Sequence, residues 1–222
     1  MKLLLINPNT NAATTRMMLE LARSMAPADW EWETLTAERG AMLIDNQEAL
    51  RIAAAEVVAM EARIRALQPD AVIVAAFGDP GMQTLRDSLD IPVFGIGECA
   101  MREADALGLP FSVLTITPRL RESTLAQIRR YGCEAHFNTL VITADDATET
   151  ARSHETLVAR VAASITRAIH EDGSKVLVIG GGPVAAAAKS LDQSTDITVI
   201  QPLLAAINKA RSTLRPSAAL SS

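Results

Sequence analysis

Ala71-Val72-Ile73-Val74-Ala75-Ala76-Phe77-Gly78-Asp79-Pro80-Gly81 is the stretch that decides the fold. A short continuous apolar run that breaks into Asp-Pro-Gly reads as a strand buried on both faces and closed by a turn. Strands of that kind belong to parallel sheets covered by helices, and small ligands gather at the carboxyl edge of such sheets. The turn around Asp79 is therefore the first candidate for a site wall.

Outward from this stretch the pattern repeats. Leu3 to Ile6 is a second apolar run, followed by Asn7-Pro8-Asn9-Thr10-Asn11 and a helical pattern from Thr15 to Met25. Trp32 to Thr36 alternates as a strand. Gln47 to Leu67 has the spacing of one long Ala-rich helix. Beyond the turn come a short helix at Met82 to Leu89, a strand at Ile91 to Ile96 and a helix from Cys99 to Leu107. The series then restarts, with strands at Phe111 to Ile116, Thr139 to Ile142, Lys175 to Ile179 and Ile197 to Ile200. Helices are expected over Leu120 to Tyr131, His154 to Glu171, Val184 to Leu191 and Pro202 to Leu214, with a frayed tail over Ser217 to Ser222.

The two series correspond. Ile6-Asn7-Pro8 parallels Ile116-Thr117-Pro118, Ala71 to Val74 parallels Lys175 to Val178, and Ile91-Pro92-Val93 parallels Ile197-Thr198-Val199. A duplication of a four-stranded α/β unit is the simplest account. It predicts an α/β fold of two pseudo-symmetric, four-stranded parallel-sheet halves with a cleft between them. The expected partition is 1–97 plus 202–222 for the first half, with a returning C-terminal helix, and 98–201 for the second.

Composition narrows the function. The formal charge is −5, with acids and bases interspersed and no basic block. Neither nucleic acid nor an anionic membrane is an expected partner. No apolar run approaches the roughly 18–20 residues that span a bilayer. Met1-Lys2 leads straight into an apolar run read as a strand rather than a leader, so a cytoplasmic location is expected. The two cysteines, Cys99 and Cys133, make no disulfide framework, and His136, His154 and His170 match no metal spacing. No metal is expected. Two Ala-rich outer helices could supply the interface of a homo-oligomer.

Five motifs lie along nearly the whole chain: Ile6-Asn7-Pro8-Asn9-Thr10, Phe77-Gly78-Asp79-Pro80-Gly81, Gly95-Ile96-Gly97-Glu98, Phe111-Ser112-Val113-Leu114-Thr115 and Val178 to Gly182. In that order they resemble the aspartate/glutamate/hydantoin racemase superfamily, and within it the hydantoin racemases. The resemblance implies a cofactor-independent enzyme of two flavodoxin-like halves with its site between them. It also implies two facing cysteines, one thiolate removing an α-proton and the opposing thiol returning one to the other face. The family pattern places them at Ala76 and, with a register uncertain by one, at Gly181. Neither residue holds a proton, so two-cysteine racemisation is not available to this chain.

Asp79 is the best titratable group remaining in a motif. It is a candidate base, and equally a brace for its turn or a cap for a helix. Asn7, Thr10, Phe77, Gly78, Thr115, Thr117, Gly181 and Gly182 are candidate substrate contacts, with local capping as the competing role for the polar ones. Gly180-Gly181-Gly182-Pro183 lacks the spacing of a phosphate loop and reads better as close backbone approach to a small ligand. The expected substrate is a small carboxylate, an amino-acid derivative or a hydantoin-like cyclic amide. Three readings stand at this point: changed one-base chemistry of the lyase or hydrolase kind, a silent ligand-binding relative, or cysteines replaced by design to trap a complex.

Overall fold

The computed structural model describes residues 1–143, 154–181 and 197–214. The first sheet holds β1 (Lys2–Asn7), β2 (Glu31–Thr36), β3 (Ala71–Val74) and β4 (Val93–Gly95) in the order β2-β1-β3-β4, all parallel. Helices α1 (Ala12–Met25), α2 (Gln47–Ala59), α3 (Glu61–Leu67), α4 (Met82–Ser88) and α5 (Ile96–Asp105) belong to the same stretch of chain. The second sheet holds β5 (Phe111–Thr115), β6 (Phe137–Ile142), β7 (Val176–Ile179) and β8 (Thr198–Ile200) in the order β6-β5-β7-β8, again parallel. A 3-10 turn (Pro118–Leu120), α6 (Arg121–Arg130), α7 (His154–His170) and α8 (Pro202–Leu214) complete the described elements. The two strand orders are the same permutation, as a duplicated flavodoxin-like unit requires.

The continuous apolar strands are buried on both faces, which explains why they do not alternate. Leu3, Leu4, Leu5 and Ile6 are inaccessible to solvent, as are Ala71 to Val74. In the second sheet the two faces serve different neighbours. Phe111, Val113, Val176 and Val178 join the core that contains the first sheet, α5 and α8. Leu114, Ile116, Leu177 and Ile179 form a separate cluster with Val161, Ile165 and Ala168 of α7. The halves thus share one continuous apolar core rather than touching across a polar seam.

Four boundaries differ from the sequence reading, each for a local reason. Helix α1 starts at Ala12 because the Asn11 side chain accepts hydrogen bonds from the backbone N–H groups of Ala13 and Thr14. The expected long helix over Gln47 to Leu67 is two helices broken at Met60, whose N–H turns to the carbonyls of Val57 and Val58. No glycine or proline marks that break. The 3-10 turn at Pro118–Leu120 precedes α6, where the expected helix included Leu120. Most consequential, α5 begins at Ile96 and not at Cys99, directly from the end of β4. The short helix expected over Val184 to Leu191, the tail over Ser217 to Ser222, and Gly182 and Pro183 lie outside the described residues.

Helix α5 has no room for a side chain where it starts. A Cβ on Gly97 would collide with the carbonyl oxygen of Phe77, and one on Gly95 with the carboxyl group of Asp79. Gly97→Ala is therefore expected to cost stability at the upper end of about 1–3 kcal/mol, because the obstacle is backbone and cannot rotate away. A shift in the urea denaturation midpoint checks this, and an unshifted midpoint would show that α5 can slide off the turn.

Candidate functional site

Parallel pairing brings the motifs to two sheet edges. Ile6 lies beside Val74 in register, and Ala75 N–H donates to the Ile6 carbonyl, so Asn7 emerges next to Ala75-Ala76. Leu114 lies beside Ile179, and Gly180 N–H donates to the Leu114 carbonyl, so Thr115 emerges next to Gly180-Gly181. The two edges meet. Leu43, in the loop after β2, packs into the cluster holding Ile116 and Ile179. Asp45 in that loop pairs with Arg119, and Gln47 accepts from the Ser123 hydroxyl.

The polar residues at these edges are largely occupied by their own loops. Asn7 is 1% exposed, and its amide donates to Asn9 Oδ1, the Asn11 carbonyl and Thr15 Oγ1 while its oxygen accepts from Asn9 N–H. It folds the β1–α1 loop. Thr115 Oγ1 accepts from Thr117 N–H and lies 2.8 Å from Thr117 Oγ1, which closes the equivalent turn of the second half. Thr10 is half-buried and is tied through its N–H to the Ala41 carbonyl. Ala76, Phe77 and Gly78 are half-buried, and among the described residues their N–H groups have no hydrogen-bond partner. Gly181 has φ +149°, and a Cβ built there meets no described residue within 4 Å.

Asp79 is the centre of the arrangement. It is 7% exposed and adopts a left-handed backbone with φ +46°, which turns the chain sharply after β3. Its Oδ1 accepts from Gly97 N–H at 2.9 Å, and its Oδ2 accepts from Glu98 N–H at 2.6 Å and the Tyr131 hydroxyl at 2.9 Å. The carboxyl group thereby caps α5, whose first-turn N–H groups carry the positive end of the helix dipole. Burial pushes its pKa up to about 7, against the pull of the Gly97, Tyr131 and Glu98 donors. Gln127 Nε2 donates to the Phe77 carbonyl at 3.1 Å, so α6 of the second half grips the turn at two points. Tyr131 and Gln127 were not candidates from the sequence; they stand 52 and 50 residues from their partners, and no local pattern announces such a contact.

Neither cysteine reaches an edge as a thiolate. Cys99 lies within α5, where burial pushes its thiol up to about 12, helped by the Asp79 and Glu98 carboxylates. Cys133 is 1% exposed, follows α6, and is pushed up to about 11 by burial and then by Asp105. His136 pairs with Asp105 at 2.9 Å. Among the described residues no group of three or more His, Cys, Asp or Glu side chains could hold a metal ion, and no helix is long and apolar enough to cross a membrane.

The comparisons with known proteins agree with this architecture. The model of the family described as Asp/Glu/Hydantoin racemase matches residues 3–210. The chain is 25% identical over 213 residues to a hydantoin racemase of Paenarthrobacter aurescens, covering 96% of this chain and 90% of that protein. It is 29% identical over 219 residues to a hydantoin racemase of Rhizobium meliloti, covering 95% and 87% respectively. The structure of an allantoin racemase from Pseudomonas fluorescens superposes with a TM-score of 0.86 at 27% identity, over 97% of this chain and 91% of that one.

The Asp79 environment has a pH signature. A carboxyl group raised from its ordinary 3.8 to about 7 in the fold is favoured in its protonated form. Its contribution to stability is complete below pH 3.8 and is lost as the pH climbs through about 7, a swing on the order of 4 kcal/mol. Denaturation midpoints measured from pH 4 to 8 should fall more steeply for the natural chain than for Asp79→Asn. Parallel slopes would mean that the native carboxyl titrates at its ordinary value.

Proposed function

We propose a function from one premise: this chain belongs to the Asp/Glu/hydantoin racemase family. We infer that it binds a small cyclic amide of the hydantoin or allantoin kind between the two halves, 1–97 plus 202–222 and 98–201. The relatives named above act on ligands of that kind, and the N–H groups of Ala76, Phe77 and Gly78, which have no partner among the described residues, suit a ring carbonyl or imide oxygen. Thr10, Thr117 and the Gly181 backbone would flank the ring. Asn7 and Thr115 would act from behind, by holding the two loops in shape.

The chemistry follows from the observation that carries this reading: an alanine and a glycine stand where the family resemblance puts its thiols. Proton exchange on both faces of the α-carbon therefore gives way to exchange on one face. Asp79 is the carboxyl group of the β3 turn, and a group poised at about 7 is matched to general-base work near neutral pH. The ring carbonyl acidifies the neighbouring C–H, so the step needs no cofactor. We take the chain to act in the cytoplasm as a homo-oligomer, with the Ala54, Ala55, Val58 and Ala59 face of α2 as the surface for a second copy.

A second reading is favoured by the hydrogen bonds of Asp79 itself. Both its oxygens are engaged by α5 and Tyr131, which suits a brace better than a base. On that reading the chain is a ligand-binding relative without turnover.

Deuterium exchange at the ring α-carbon of each enantiomer of a 5-substituted hydantoin, followed by proton NMR, separates the two. One-base chemistry gives exchange of one enantiomer, lost by at least about 100-fold in Asp79→Asn. Binding without exchange establishes the second reading, and absence of both removes cyclic amides as ligands. Ala76→Cys combined with Gly181→Cys is expected to create exchange of both enantiomers. A side chain at Gly181 clashes with none of the described residues, although its φ of +149° makes any residue other than glycine strained there.

A further inference from the structure

A cleft of about 820 Å³ opens between α4, β4, α5 and α8, outside the turns that form the two sheet edges. That volume is within the range of small-molecule sites. Its floor is apolar, from Val93 and Phe94 of β4 and Ala205 of α8. Its walls are charged. Three cations line it, Arg86, Arg102 and Lys209, against two carboxyl groups, Glu98 and Glu103, which leaves one positive charge uncompensated.

The hydrogen bonds say which charges are free. Arg86 is committed to the Val93 carbonyl and to Glu98 Oε2, and Arg102 Nε takes Glu98 Oε1. Burial pushes the Glu98 carboxyl up, but the two arginines outweigh it and hold its pKa below the ordinary range, so it stays charged and fully occupied. Arg102 keeps its terminal amino groups, and Lys209, exposed on α8, makes no ion pair among the described residues. Glu103 faces them alone, and burial raises its pKa. Two available cations beside one carboxyl group leave room for one negative charge, with an apolar surface below it.

We propose that this cleft is a second small-molecule site, taking a monoanionic carboxylate with a compact apolar body. The carboxylate lies between Arg102 and Lys209, with Asn208 and Ser212 of α8 at the rim, and the body rests on Val93, Phe94 and Ala205. The site is independent of the cyclic-amide reading, since it shares none of the residues assigned to that ligand.

Isothermal titration of the full chain with phenylacetate, phenylacetamide and inorganic phosphate tests it. Phenylacetate should bind at or below about 10 mM, and the neutral amide and the phosphate at least about tenfold more weakly. Lys209→Glu should weaken phenylacetate by about tenfold or more; that side chain is exposed and makes no ion pair among the described residues, so its reversal changes charge without disturbing the fold. Saturating hydantoin should leave the phenylacetate titration unchanged. No heat from phenylacetate, equal binding of phosphate or amide, indifference to Lys209→Glu, or displacement by hydantoin would each overturn the proposal.

Discussion

One buried carboxyl group organises this molecule. Asp79 gives the β3 turn its left-handed bend, caps the first turn of α5, and accepts from the hydroxyl of Tyr131, the residue that ends α6 in the other half. A carboxyl group taken out of water is costly unless donors surround it, and here three do. The same contacts fix several other features. Gly95 and Gly97 lack side chains because Asp79 and the Phe77 carbonyl fill the space, and β4 passes into α5 without a loop because the cap arrives from another strand.

This explains where the sequence could be read and where it could not. The strands were legible because runs such as Leu3 to Ile6 and Ala71 to Val74 carry their burial in their composition, and the repeat of those runs exposed the duplication. The start of α5 was not legible, since its capping group lies 18 and 19 residues upstream of the N–H groups it serves. The break at Met60 carries no glycine or proline and reflects packing of the finished structure. Gln127 and Tyr131 looked like ordinary helix residues because their partners lie across the interface between halves. Asn7 and Thr115 were legible as edge residues, yet only coordinates show that their side chains are turned inward to shape their own loops.

The chain belongs to the racemase family and folds as two four-stranded parallel sheets, while Ala76 and Gly181, where the sequence resemblance would put the family's two thiols, carry no ionisable group. The remaining cysteines sit in low-dielectric packing that holds them as thiols. Fold and activity are separable in such a chain, because the frame is built from backbone and buried side chains and the chemistry from one or two atoms at its edge.

The shared core has a consequence for how the chain is made. Helix α8 lies against α1, β4 and α5, although it comes last in the sequence. While the ribosome is still extending the second half, the first sheet can form but one side of its helical cover is absent. The apolar surface of α5 that α8 packs against in the complete core then faces water or an early non-native neighbour. The N-terminal half is thus a folding unit in outline only. Its last wall is delivered only after the second half has been made, and the interval before that is when a chaperone would find the most apolar surface to hold.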